Sequence, residues 1–171
     1  MASNNPDARA LRRAREAGVE TAVFERDRYE GRGARDEAIG DWLAERRVDL
    51  VVLAGYMELL SAEFVGRFRN RIVNVHPALL PSFPGLDAVQ QALDHGVRVT
   101  GVSVHFVDEG VDSGPIILQR AVEVPDSRDR AELEERIHAV EHELLPRAIR
   151  LIAAGAVRLD ERNPRVVRID R

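Results

Sequence analysis

Apolar and polar positions along the chain fall into two kinds of pattern. Continuous apolar runs at residues 49–55 and 72–75 predict strands that are covered on both faces, as in a parallel sheet. Residues 99–107 alternate between apolar and polar positions, so a strand is expected there, and another strand is predicted at residues 116–124. A short strand is also predicted at residues 19–24.

Helical spacing separates these strands. Helices are predicted at residues 6–17, 34–47, 61–68, 87–95 and 127–154, and a terminal hairpin at residues 157–160 and 166–169. The apolar positions of the longest helix step by three or four and are expected to face the core: Leu133, Ile137, Val140, Leu144, Ala148 and Ile152. Strands that alternate with helices indicate one α/β domain over residues 1–171, with a mostly parallel sheet.

The ends of the helices carry residues typical of helix termini. The predicted N-caps are Asn5, Ser61 and either Asp126 or Ser127. Gly96 is expected to end the helix before it, and Pro146 to kink the longest helix.

Two polar side chains stand at the end of the apolar run at residues 72–75. Asn74 and His76 are two residues apart, so a strand projects both from one face, and Pro77 ends the strand. Ligands of open parallel sheets bind beyond the carboxyl ends of strands, so this is a candidate reaction site. Taken alone, His76 could equally be a turn residue. The acidic, glycine-rich loop at residues 108–114, which contains Asp112, makes the combination more specific.

Composition narrows the possible functions. The chain has 171 residues, a net charge of −4 and no cysteine, and all 25 of its basic residues are arginine. Disulfides, thiolate catalysis and lysine Schiff bases are therefore excluded. The acidic balance argues against nucleic acid as a partner, and no apolar run is long enough for a membrane span. With no signal-peptide pattern, a cytoplasmic protein with small-molecule partners is expected, and its oligomeric state stays open.

Four motifs stand out along the chain: Asn74–Pro81, Phe83–Gly85, Gly101–Phe106 and Asp112–Pro115. Together they resemble the glycinamide ribonucleotide transformylases, the folate-dependent formyltransferases of purine synthesis. The resemblance runs from about Ser3 to about Leu159. Methionyl-tRNA formyltransferases are less similar, because they tend to have Gly-Ser after the histidine and Arg-Gly where this chain has Pro84-Gly85.

The resemblance implies a Rossmann-like α/β formyltransferase fold and a reaction. The reaction would transfer a formyl group from 10-formyltetrahydrofolate, a co-substrate, to the amine of glycinamide ribonucleotide, without a metal. Asn74 and a protonated His76 would donate hydrogen bonds to the developing oxyanion, and Asp112 would hold His76 charged and relay the proton. The alternatives are hydrolysis of 10-formyltetrahydrofolate by the same residues, or an inactive remnant.

Binding roles also follow from the resemblance alone. The implied folate-binding residues are Arg32, Met57, Glu58, Leu59, Leu60, Asn74, Asp108 and Glu109. Glu58 departs from the family, which often has a basic residue there, and folate affinity would suffer if that side chain makes the contact. Glu141 would contact the ribose of the ribonucleotide.

The resemblance further implies that two strands, a helix and a glycine-rich phosphate loop should precede Ser3. The sequence therefore suggests an N-terminally truncated formyltransferase fold, in which the strand at residues 49–55 lacks a neighbour on one edge. Two causes are possible: a truly truncated protein, or a start assigned at an internal valine codon, and the second is favoured.

Two further patterns contain histidine. Residues His138–His142 read H-x-x-E-H, a zinc-hydrolase pattern, but no third ligand is identifiable and the pattern arises readily by chance on charged helices. His105 lies on a predicted strand opposite its apolar neighbours and is expected to be a structural residue.

Overall fold

The computed structural model of the protein describes residues 1–170, which form two compact units. The N-terminal unit contains Met1–Asp49 and Leu59–Arg67, and the C-terminal unit contains Leu50–Glu58 and the chain from Phe68 onward. The strands are β1 (Ala2–Ser3), β2 (Ala22–Val23), β3 (Val51–Leu53), β4 (Ile72–His76), β5 (Val99–Phe106), β6 (Ile116–Glu123), β7 (Val157–Leu159) and β8 (Val167–Ile169). The α-helices are α1 (Arg9–Glu16), α2 (Arg32–Glu45), α3 (Ala62–Arg67), α4 (Ala88–Asp94) and α5 (Arg130–Ala153).

The N-terminal unit is built around helix α2. Strands β1 and β2 pair in parallel as a separate two-stranded sheet, and α2 packs against α3. The ring of Phe24 lies edge-on to that of Trp42, with 6.1 Å between centroids. Buried Asp36 accepts a hydrogen bond from the Ser61 backbone N–H, and the Ser61 hydroxyl accepts one from Phe64 N–H. The predicted cap at Ser61 is therefore confirmed.

The C-terminal unit contains a four-stranded sheet in the order β3-β4-β5-β6. Strands β3 and β4 pair in parallel, whereas β4–β5 and β5–β6 are antiparallel. The loop between β5 and β6 spans only residues 107–115, and a connection this short suits antiparallel neighbours. The predicted α/β class of the formyltransferase fold is confirmed, and within it the sheet pairs in both senses.

Helix α5 covers this sheet. Leu133, Ile137 and Leu144 are at most 2% exposed and pack with the side chains of β5 and β6, as the spacing predicted. Its N-cap differs from the prediction. Asp129, rather than Asp126 or Ser127, accepts a hydrogen bond from Glu132 N–H. The first turn lies three residues later than expected because Pro125 and Arg128 close a turn before the helix begins.

Two other predictions were wrong. Asn5 does not cap α1: its side chain accepts from Asp7 N–H in an Asx turn, and the helix begins at Arg9. Val52 is 37% exposed, so the apolar run at β3 is not buried on both faces. Within the described sheet β3 is an edge strand that pairs with β4 alone, which agrees with the open edge expected there.

The C-terminal segment forms the predicted hairpin. Strands β7 and β8 are antiparallel, with Val157 opposite Ile169, and Val166 bridges to Ile116 at the start of β6. Arg165 donates a hydrogen bond to the Ser113 carbonyl, so the hairpin contacts the loop before β6. None of the helices in residues 1–170 has the length and apolar character that a membrane crossing requires.

Gly101 lies where β5 passes close to other backbone. A Cβ at this position would lie 2.3 Å from the Arg120 carbonyl oxygen and 2.6 Å from Leu79 Cδ2. We expect Gly101→Ala to lower the free energy of unfolding by about 1–3 kcal/mol or more. Gly66→Ala in α3 is the matched control, because a Cβ there meets nothing within 4 Å. Urea denaturation measures both variants, and equal stability of the two would contradict the close packing.

Candidate active site

Strand β4 presents Asn74 and His76 on one face, at the end that Pro77 terminates. The pairing with β5 places Asn74 opposite His105 and His76 opposite Ser103. Both Asn74 and His76 reach the same residue, Asp112, so the prediction that they share a face is confirmed. All of these residues belong to the C-terminal unit.

Asp112 is held by a tightly folded loop between β5 and β6. Its φ is 48°, a left-handed conformation that aspartate tolerates better than most residues. Asp108 Oδ1 accepts hydrogen bonds from Gly110 N–H at 3.1 Å and from the Ser113 hydroxyl at 2.7 Å. A Cβ on Gly114 would lie 1.9 Å from the Phe106 carbonyl oxygen, so only glycine fits there. The loop therefore fixes where the carboxylate of Asp112 points.

Both carboxylate oxygens of Asp112 are engaged. Oδ2 accepts from Gly85 N–H at 2.8 Å and lies 3.3 Å from His76 Nδ1, while Oδ1 accepts from Asn74 Nδ2 at 3.4 Å. Burial alone raises the pKa of Asp112, but hydrogen bonds from His105 and Gly85 and the positive charge of His76 outweigh it. The pKa of Asp112 consequently lies below its ordinary value, and the group is a carboxylate at neutral pH.

His76 is buried, and oxygen acceptors face both of its ring nitrogens. Nε2 lies 2.8 Å from the Phe83 carbonyl oxygen, and Nδ1 faces the carboxylate of Asp112. A carbonyl and a carboxylate can only accept, so the doubly protonated ring satisfies both contacts.

The loop after β4 supplies the contacts from Phe83 and Gly85, and side chains of β5 and β6 hold it in place. Ser103 Oγ donates to the Ala78 carbonyl at 2.7 Å and accepts from Leu80 N–H at 3.0 Å. Gln119 Nε2 donates both to Ser103 Oγ and to the Leu80 carbonyl. The far end of the loop then presents the Phe83 carbonyl to His76 and the Gly85 N–H to Asp112. Ser103, Gln119, Phe83 and Gly85 were not among the predicted site residues.

His105 is buried in β5, as expected of a structural residue, and it also contacts the site. It is 1% exposed, as a structural histidine would be, but its Nε2 lies 3.3 Å from Asn74 Nδ2 and 3.5 Å from Asp112 Oδ1. The signal that could have found it is the pairing of β4 with β5, which sets His105 opposite Asn74.

The predicted folate-binding residues are distributed over both units. Arg32 is the first residue of α2, and Leu59 and Leu60 precede α3, all in the N-terminal unit. In the C-terminal unit Met57 is 73% exposed and Glu58 is half-buried. The folate roles of these residues, and of exposed Glu109, stay predictions. Asp108 is already engaged in holding the loop.

Glu141 lies on α5 between His138 and His142. Glu141 is half-buried, and burial raises its pKa, an effect that the two histidines partly oppose. A groove of about 430 Å³ runs along the helix and is lined by Ala131, Glu134, Glu135, His138, Ala139 and His142. Within residues 1–170, no three His, Asp or Glu side chains are grouped so that they could hold a metal ion.

Comparison with known proteins agrees with this geometry. Residues 1–149 match the formyl transferase family. The chain is 41% identical over 150 residues to the phosphoribosylglycinamide formyltransferase of Bacillus subtilis, covering 88% of this chain and 77% of that protein. The chain belongs to the formyl transferase family, among the phosphoribosylglycinamide formyltransferases.

Two further proteins, one compared by sequence and one by structure, are also similar to this chain. It is 46% identical over 159 residues to a bovine trifunctional purine biosynthetic protein, and the match spans 93% of this chain but only 16% of that protein. The crystal structure of a glycinamide ribonucleotide transformylase from Symbiobacterium toebii superimposes with a TM-score of 0.93 at 49% identity. That match covers 98% of this formyl transferase and 78% of the solved chain.

The lowered pKa of Asp112 predicts a pH-dependent contribution to stability. A carboxylate whose pKa is depressed on folding stabilises the protein above the unfolded pKa of about 3.9, and this contribution is lost as pH falls below it. Asp112→Asn removes the titration, so the difference in free energy of unfolding between wild type and this variant should shrink as pH falls from about 5 through the lowered pKa of Asp112. Urea denaturation across that range is the measurement.

The matched control for this experiment is Asp126→Asn. Asp126 forms an ion pair with Arg98 in which its side chain is 97% exposed, so its removal should leave the pH dependence nearly unchanged. If the free energies of unfolding of wild type and Asp112→Asn differ by the same amount at every pH, the lowered pKa of Asp112 is contradicted.

Proposed function

We propose that the protein transfers a formyl group from 10-formyltetrahydrofolate to the amine of glycinamide ribonucleotide, in de novo purine synthesis. Residues 1–171 would act as one formyltransferase domain, with small molecules as partners and the cytoplasm as its compartment. The observation that carries the proposal is the meeting of Asn74, His76 and Asp112 at the end of β4. Membership of the formyltransferase family supports the class of reaction.

The chemistry of the site fits this pair of substrates. 10-formyltetrahydrofolate supplies the formyl group when it is bound, and the ribonucleotide amine accepts it. The chain has no cysteine and no lysine, so neither of these nucleophiles is present to carry the group covalently. Amide and imidazolium N–H donors beside a carboxylate instead suit direct attack by an amine on a carbonyl carbon.

Two donors would stabilise the negative charge that develops on the formyl oxygen. The Asn74 amide and the His76 imidazolium stand on one face of β4 and are both held by Asp112. The contact between His76 Nε2 and the Phe83 carbonyl is the one that the formyl oxygen would replace. Donors that are oriented in advance in a mostly buried site lose little energy to reorganisation when charge develops.

Asp112 would serve two tasks. Its charge keeps His76 protonated, since an opposite charge favours the imidazolium. Its carboxylate would also accept the proton that the attacking amine must lose, directly or through a water, and pass it toward the leaving nitrogen. A carboxylate with a lowered pKa is a modest base, so the proton would pass through Asp112 without residing there.

Binding would draw on residues beyond this cluster. We propose that Arg32, Met57, Glu58, Leu59, Leu60, Asn74, Asp108 and Glu109 contribute to the folate site. Met57 and Leu59 expose large apolar side chains, which suits contact with a flat pterin ring. We propose that Glu141 binds the ribose, because a carboxylate can accept hydrogen bonds from two neighbouring hydroxyl groups.

Removing a reacting group tests the proposal directly. We expect His76→Ala and Asp112→Ala each to lower kcat/KM by about 10³-fold or more, because each removes a group used in the transition state. The control Asp126→Asn removes an exposed ion pair, so its kcat/KM should stay within about twofold of the wild-type value. A chromogenic folate analogue gives the rate of formyl transfer, and near-normal rates in either alanine variant would refute the assigned roles.

The dependence on the amine separates transfer from hydrolysis. If the protein is a transferase, the formyl group should appear on the ribonucleotide, and loss of the formyl group from the folate should need that amine. Product analysis by mass spectrometry with and without the ribonucleotide is the measurement. Formate release at the same rate in both samples would establish the hydrolase alternative.

Glu141 offers a test of ribonucleotide binding that is separate from catalysis. Glu141→Gln should weaken ribonucleotide binding by about 10–100-fold, since a hydrogen bond to a charged group contributes about 1.5–3 kcal/mol. Folate binding should be unchanged. Calorimetric titration measures the affinity for each ligand, and Glu134→Gln on the same helix is the control. If Glu141→Gln binds the ribonucleotide as tightly as wild type, Glu141 is not part of the site.

A further inference from the structure

His105 is a buried ionisable residue to which the proposed mechanism gives no task. It lies on β5, directly opposite Asn74 on β4, and its side chain is 2% exposed. Nδ1 lies 2.8 Å from the Phe106 carbonyl oxygen. Nε2 faces Asn74 Nδ2 at 3.3 Å and Asp112 Oδ1 at 3.5 Å. Two of the three proposed reaction residues therefore contact one nitrogen of this ring.

The hydrogen positions on this ring follow from its partners. The Phe106 carbonyl can only accept, so Nδ1 must carry a hydrogen. In the neutral ring Nε2 then has a lone pair, and it accepts from Asn74. The nitrogen of the Asn74 amide, and not its oxygen, must therefore point toward His105 and Asp112. The opposite orientation would set the amide oxygen against two acceptors.

We propose that His105 is a positioning residue for formyl transfer: without a hydrogen on Nε2 it fixes the orientation of the Asn74 amide, and with one it donates to the Asp112 carboxylate. The proposal rests on the proposed function, because it assigns His105 a part in the same site. His105 acts through its two neighbours and need not touch either substrate.

The orientation of the Asn74 amide depends on its hydrogen-bond partners. Asn74 is only partly buried, and without His105 its amide would be oriented by the 3.4 Å contact with Asp112 alone. Both amide hydrogens are engaged here, by His105 and Asp112, so the formyl oxygen would have to take over one of them. An amide turned the other way would present its oxygen instead, and small misplacements of reacting groups cost large factors in rate. His105 is itself fixed by the Phe106 carbonyl, so it provides a rigid reference for the amide.

His105 also influences the charge of Asp112. When Nε2 carries a proton it donates to Asp112 Oδ1 instead of accepting from Asn74. The titratable groups that face this nitrogen are Asp112, from the loop before β6, and His76, which shares the carboxylate from β4. Hydrogen bonding from His105 contributes to the lowered pKa of Asp112, so its loss should raise that pKa.

Two variants test the proposal in the full chain. In His105→Asn, the shorter amide can still donate to the Phe106 carbonyl but reaches neither Asn74 nor Asp112. We expect its kcat to fall by about 10–100-fold while KM for each substrate stays within about threefold. The acid limb of the pH–rate profile should move to higher pH, because Asp112 loses a hydrogen bond that favours its charged form. His105→Gln, whose amide reaches the position of Nε2, should recover part of kcat.

Thr100→Val is the matched control. Thr100 lies on the same strand, is 1% exposed, and its hydroxyl makes no hydrogen bond within residues 1–170. The change is nearly isosteric and should leave kcat and the pH profile unchanged. Urea denaturation of all three variants shows whether each is folded, and if His105→Asn is not, the comparison of His105→Gln with wild type decides.

A second measurement needs no substrate, so it separates this proposal from the proposed function. In ¹⁵N NMR spectra the side-chain amide of Asn74 should give one sharp pair of signals in the wild type and a shifted or broadened pair in His105→Asn. If the wild type transferred no formyl group but this change were seen, the proposed function would fail and the positioning role would stand. Unchanged Asn74 signals, or a His105→Asn variant with normal kcat and an unmoved acid limb, would overturn the proposal.

Discussion

The carboxylate of Asp112 is the point on which the site depends. One oxygen receives the Gly85 N–H and faces His76, and the other receives the Asn74 amide and faces His105. These partners come from β4, from β5 and from the loop that follows β4. A single half-buried anion thus joins β4, the loop that follows it and β5. Breaking one of these contacts leaves buried polar groups without partners, which is costly in a low-dielectric setting.

The rest of the C-terminal unit holds this carboxylate in place. Asp108 and the close approach at Gly114 fix the loop that carries it, and Ser103 fixes the loop that meets it from the other side. Helix α5 covers the sheet beneath, so the strands cannot shift without disturbing the core. The position of the reacting groups therefore depends on the packing of the whole C-terminal unit.

Sequence patterns predicted most of the elements, and together with the family resemblance they singled out the three residues that meet at the end of β4. The spacing of Asn74 and His76 and the proline after them indicated a strand end, and the helical period identified the buried face of α5. The contribution of His105 could not be read from the chain, because it depends on which residue of β5 stands opposite Asn74. The roles of the Phe83 carbonyl and the Gly85 N–H were hidden for another reason: backbone groups of a loop carry no side-chain signature. The cap at Asp129 was missed because three candidate cap residues lie within four positions, and only the turn before the helix chooses between them.

A double-mutant cycle on Asn74 and Asp112 tests the central claim most directly. Asn74→Ala, Asp112→Asn and the double variant are compared with wild type in kcat for formyl transfer. If the residues act as one hydrogen-bonded unit, the double variant should be scarcely slower than the slower single variant, as for other groups that act together. Losses that multiply, so that the logarithms of the two single effects add to that of the double variant, would contradict the account.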